Sequence, residues 1–169
     1  FDTTIAYKAV VVGILAHALY KGPLFLIAGI VDHATGTRDL RHLANLWRGM
    51  PWVTVAAVLA ALSMAGIPPT FGFLAKEFLL DTWYQAAEHG APIFGFTGMA
   101  AAGITGALFV AIAGTLMWET FFRKHAPRET ASIHHAPSLG FVFAPMVLVL
   151  VGAAIPLLLG PLNKLLFLP

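Results

Sequence analysis

Two lysines and a histidine stand where a very apolar chain should resist them. His17 and Lys21 fall inside "HALYKGPLFL", and Lys76 with Glu77 inside "GIPPTFGFLAKEF". A spacing of four puts His17 and Lys21 on one helical face. Charged side chains at membrane depth are costly and usually face a bundle interior or water, where they carry ions or protons. A lysine taken out of water titrates readily. Proton transfer is the chemistry this set could do.

Both lysines sit beside prolines. Pro23 follows Lys21 and leaves the carbonyl of Leu19 without its helical donor. Gly66, Pro68 and Pro69 precede Lys76, and two prolines in succession stop a helix by removing donors and crowding the preceding turn. A break at membrane depth exposes unpaired N–H and C=O groups, which only a hydrated or protein-lined cavity tolerates. Transporters build ion sites at such breaks. His17, Lys21, Lys76 and Glu77 are therefore the candidate proton-relay residues, and Gly66, Pro68 and Pro69 the helix break. The bland alternative is a kinked helix whose Lys76–Glu77 pair holds neighbouring helices. Lys8, near the outer end of its helix, is better read as snorkelling to the surface.

The elements that must position these groups follow from composition. Of 169 residues 59% are hydrophobic and 11% charged, and the mean hydropathy is +0.81. That predicts an all-α integral membrane protein. The absence of cysteine excludes thiol chemistry and disulfides, and a net charge of +2 without a basic run argues against nucleic acid. No phosphate loop, dinucleotide fingerprint or hydrolase elbow is present. His33, His42, His125, His134 and His135 read as solvated loop histidines, with no second ligand pair at metal spacing. No cofactor or metal is expected.

Four apolar regions, about Thr4–Val31, Trp52–Ala86, Gly98–Phe122 and Leu139–Leu159, can each cross a core of ~30 Å. The second is discontinuous at Gly66–Pro69. Arg38, Arg41 and Arg48 lie in the first loop and Arg123, Lys124 and Arg128 in the third, whereas the loop around Glu88 and His89 has no Lys or Arg. The positive-inside rule then favours one broken crossing, which puts both basic loops on the cytoplasmic side. Trp47, Trp52 and Trp118 would line that face, and Trp83 and Tyr84 the other. The amphipathic loop 32–51 could hold a surface helix capped by Thr37, with Leu40, Leu43 and Trp47 on its apolar face. Because the chain starts with Phe and enters an apolar helix at once, a piece of a longer multi-pass membrane protein is expected; its expected location is the plasma (bacterial inner) membrane.

The runs "HALYKGPLFLIAGIVDHATGTRDLRHL" and "MPWVTVAAVLAALSMAGIPPTFGFLAKE" resemble the antiporter-like membrane subunits. These are the large subunit of Mrp-type sodium/proton antiporters and the proton-pumping subunits of respiratory complex I. "DHATGTRDLR" is most similar to the Mrp form. The resemblance implies helices 11–14 of a fourteen-helix fold with inverted repeats, Trp52–Ala86 being the broken twelfth. It implies that Lys21 is the helix-11 lysine, with His17 one turn before it, and Lys76 the ionisable group of the broken helix, opening to the outside. The implied function is part of a subunit of a multisubunit monovalent cation (Na+)/proton antiporter, a transporter rather than an enzyme. The alternatives are a proton-translocating subunit of NADH-quinone oxidoreductase or a related membrane hydrogenase, or a plain membrane anchor. Implied partners are other subunits, protons, sodium or another monovalent cation, and the lipid bilayer. The chain departs from the family at Gly22–Pro23, and Lys8 has no counterpart. The family's helix-5 glutamate and helix-7 lysine fall outside this chain.

Overall fold

The computed structural model describes residues 3–126 and 128–166, with side chains described between 6 and 158. Among the described residues all regular structure is helical: α1 (Thr3–Thr35), α2 (Leu46–Gly49), α3 (Pro51–Ala65), α4 (Phe71–Glu88), α5 (Pro92–Met117), a π-helical turn (Trp118–Phe122) and α6 (Leu139–Leu166). Three segments are long and apolar enough to cross a membrane: Ala6–Thr35, Pro92–Phe122 and Leu139–Leu158. At 15 residues, α3 rises only ~22 Å and cannot cross alone.

Local chemistry sets the ends. Pro51 and Pro92 open α3 and α5, where a missing N–H costs nothing and the fixed φ already suits a helix. Gly66 closes α3 with φ +78°, a left-handed conformation that glycine adopts without strain. By contrast, the single Pro23 lies inside α1 without ending it. One lost hydrogen bond is outweighed by the packing on either side.

α3 and α4 lie end to end along α1. The largest cluster of buried side chains joins Ile27, Ile30 and Val31 of α1 to Val53, Ala57 and Ala60 of α3. A second joins Ala16 and Leu19 to Phe71 and Ala75 of α4. Between them, Tyr20 packs with Ala61 and Met64 of α3 and Ala113 of α5. As α3 and α4 advance, their partners step back along α1. The alanines of α3 let backbones approach closely, as small residues do wherever lipid supplies no hydrophobic drive between helices. α6 packs on α1 and α3, with Val142 and Val149 in the main core.

The first loop is not the surface helix that its apolar spacing suggested. α1 runs on to Thr35, taking in Asp32 and His33, and residues 36–45 form turns before the four-residue α2. Thr37 Oγ1 accepts the N–H of Asp39 (3.2 Å), and Asp39 in turn binds the N–H of Arg41 (2.9 Å) and its guanidinium (2.7 Å). Such local bonds compete with helix formation. The guanidinium and then the N–H of Arg41 hold the Asp39 carboxyl well below the usual carboxylate range. Leu43, Leu46 and Met50 turn inward to the core, whereas Trp47 is exposed.

The first and third loops are stitched together. N–H groups of Arg128, Ala131 and His134 donate to carbonyls of Arg41 (3.1 Å), His42 (2.8 Å) and Ala34 (2.9 Å). His42 Nδ1 lies 2.9 Å from the carbonyl of Glu129, and Ile133 packs on the main core.

Candidate functional site

The break is built from a helix end, a turn and a helix start. At the end of α3, Gly66 N–H donates to Ser63 O (3.1 Å) and Ile67 N–H to Leu62 O (3.0 Å). That is the Schellman arrangement, and it leaves the last two carbonyls of the helix unclaimed. Lys76 claims them. Its ammonium donates to Met64 O (3.1 Å) and Ala65 O (2.7 Å), where the negative end of the α3 dipole also favours a cation. The polar backbone that the sequence left open to water is thus largely met by the lysine itself.

Two glycines make this possible. A Cβ on Gly66 would lie 2.6 Å from Lys76 Cδ, and one on Gly72 would lie 1.8 Å from the carbonyl oxygen of Ser63. Gly72 N–H meets Ser63 Oγ at 3.3 Å, and Thr70 Oγ1 donates to Ile67 O (2.7 Å). Pro68 and Pro69 are exposed in the turn and stop α3 without touching the lysine's bonds. Beside Ser63 and Thr70 the enclosed space is about 10 Å³, room for about one water.

Lys76 Nζ also stands 5.6 Å from the centre of the Phe109 ring of α5. Tyr20 approaches the same ring edge-on at 6.5 Å, and the Tyr20 hydroxyl lies 3.0 Å from His17 Nδ1. The structure therefore brings His17, Tyr20 and Lys76 to one locus through α1, α5 and the break. Lys21 stands differently. It is half-buried, its ammonium lies 5.6 Å from the centre of the Phe25 ring, and it makes no hydrogen bond or ion pair among the described residues. Glu77 is exposed and is not paired with Lys76.

Tyr20 is the residue that sequence reading missed. It lies three positions after His17 on the same helical face, which was the available signal, but a tyrosine in an apolar span passes for ordinary packing. Among the described residues no group of three or more His, Asp or Glu side chains could hold a metal.

The model of the transmembrane family described as NADH:quinone oxidoreductase/Mrp antiporter matches residues 1–105, a stretch that contains every element of the break and its lysines. The chain belongs to that family. Relatives within this group of antiporter-like proteins include the Na(+)/H(+) antiporter subunit A1 of Staphylococcus aureus strains JH9, Newman and N315, each 35% identical over 148 residues and 85% of this chain. The chain spans 18% of the length of these relatives. With its apolar helices, membership of this transmembrane family makes this a multi-pass membrane protein.

Proposed function

We propose that the chain is part of a subunit of a multisubunit monovalent cation/proton antiporter in the plasma membrane, with sodium as the cation. In this reading His17, Lys21, Lys76 and Glu77 relay protons, and Lys76 opens to the outer side. The observation that carries it is the ammonium of Lys76 on the carbonyls of Met64 and Ala65. A titratable cation is there held by a broken helix, with His17 and Tyr20 across one aromatic ring. Similarity to Na(+)/H(+) antiporter subunits supports the choice of exchange over redox-driven pumping.

The same reading has residues 1–169 as a fragment of the antiporter-like domain with four crossings. Direct hydrogen bonds between the first and third loops support it. Loops that touch share a side of the membrane, and α1, α3–α4 and α5 give that result when α3 and α4 together cross once.

Exchange in everted vesicles, read as ΔpH collapse on adding sodium, tests the relay. Lys76→Ala and Lys21→Ala in the full-length protein are each expected to abolish it with the complex still assembled, and wild-type exchange in either variant would sink that residue's role. For the crossings, single cysteines replace the exposed Arg48, Ala91 and Thr130 for labelling by an impermeant thiol reagent in intact cells. Only position 91 should react. Opposite behaviour at 48 and 130 would overturn the single broken crossing.

A further inference from the structure

The relay residues above do not include Tyr20, a buried titratable group within hydrogen-bond distance of His17 and edge-on to the ring beside Lys76. It is 7% exposed, on the α1 face between the stretches that pack on α3 and on α4. Its ring shares a cluster with Met64, and Ala65 packs against the same cluster. Those two residues supply the carbonyls that hold Lys76. Its hydroxyl reaches back to His17 Nδ1 at 3.0 Å, with the two rings edge to face at 5.2 Å.

We infer that Tyr20 is a positioning residue that fixes the ring and tautomer of His17 and ties it to the helix break. A buried phenol needs a hydrogen-bond partner, and Nδ1 of His17 is the partner within reach among the described residues. With the hydroxyl donating to Nδ1, the neutral imidazole carries its hydrogen on Nε2. His17 is exposed on this bundle, so without that bond its ring would be free to rotate. Held by it, Nε2 keeps one direction relative to Tyr20. The phenol ring is itself fixed by Phe109 and Met64, so the direction of Nε2 is set by the same packing that sets Lys76. Tyr20 moves no proton across the membrane in this account; it acts through His17.

This inference rests on the relay reading, and its test separates the two. Tyr20→Phe keeps the ring and its contact with Phe109 and deletes the hydroxyl alone. In the full-length protein within the assembled complex, exchange per complex should fall about tenfold, as for one lost hydrogen bond. In a His17→Ala background the same substitution should cause no further loss. A wild-type rate in Tyr20→Phe, or an equal loss with and without His17, overturns the positioning role. Wild-type exchange in Lys76→Ala overturns the relay and Tyr20's part in it together. A readout independent of the variant's yield is the infrared signature of isotope-labelled histidine in the unsubstituted complex, assigned by subtracting His17→Ala. The Nε2–H form is expected for His17, and the Nδ1–H form would overturn the proposal.

Discussion

Two lysines, each near proline, end in opposite circumstances. Around Lys21 the helix continues: Pro23 is buried inside α1, and the ammonium meets a phenylalanine ring and no described hydrogen-bond partner. Around Lys76 the helix stops, and the ammonium is fixed by two backbone carbonyls. A proline frees one carbonyl and lets a well-packed helix pass. A left-handed glycine followed by two prolines turns the chain away and leaves a whole helix end to be capped. Lys76 is accordingly part of the structure as well as a candidate for chemistry, whereas Lys21 contributes little to the fold. Either lysine can carry a proton, but only at Lys76 does losing the charge also weaken the cap of a helix.

The largest expected effect concerns backbone approach. Gly72→Val would place a Cβ 1.8 Å from the Ser63 carbonyl oxygen, an atom that cannot yield without separating α3 from α4. A loss of about 3 kcal/mol is expected, seen as poor accumulation and a lowered unfolding temperature of the solubilised complex. The matching glycine beside Lys21 is forgiving: a Cβ on Gly22 finds Leu148 Cδ1 at 3.6 Å, so Gly22→Ala should stay within about 0.5 kcal/mol. Comparable losses in the two variants would erase the contrast between the regions.

Next comes the cap itself. Lys76→Met removes both bonds to the α3 terminus, which should cost about 1.5 kcal/mol, the low end for bonds to a charged group, since Lys76 is only half-buried. Lys21→Met removes no described bond and should barely move the same melting curve. Equal shifts would show that Lys76 is not a structural cap. Exchange activity is expected to be lost in both, so stability and transport should part company at Lys21 alone.

The smallest effect lies in the first loop, away from both lysines. Arg41 depresses the Asp39 carboxyl from its ordinary 3.8, so any stability it gives is present above about pH 4. It is lost as the pH falls through the depressed value, because the carboxyl must then take up a proton. The Asp39–Arg41 pair lies at the surface, open to solvent screening. Asp39→Asn should therefore melt like the unsubstituted complex, or slightly below it, from pH 8 to 5. Any difference present at pH 8 should close in strongly acidic solution. A difference that widens with acid would have the wrong sign for this pair.

What the sequence by itself determined is what depends on near neighbours in the chain and on composition. The excess of apolar residues sets the class. Gly66, Pro68 and Pro69 set the site of the break, because the steric limits of proline and the freedom of glycine act within a turn or so. His17, Lys21, Lys76 and Glu77 could be picked out because a charge in an apolar run needs a reason. Tertiary structure decided what those residues touch. That Lys76 reaches back eleven and twelve residues to the carbonyls of Ala65 and Met64 depends on how α4 meets α3. That Tyr20 joins His17 to the same locus depends on α5 bringing Phe109 and Ala113 beside it. The loop 32–51 shows the reverse failure. Its apolar spacing suited a surface helix, but Asp39 and Arg41 closed a turn locally, and the third loop's N–H groups took the carbonyls of Arg41 and His42. Periodicity reports which side chains prefer to be buried; which backbone groups find partners is settled only when distant segments arrive beside them.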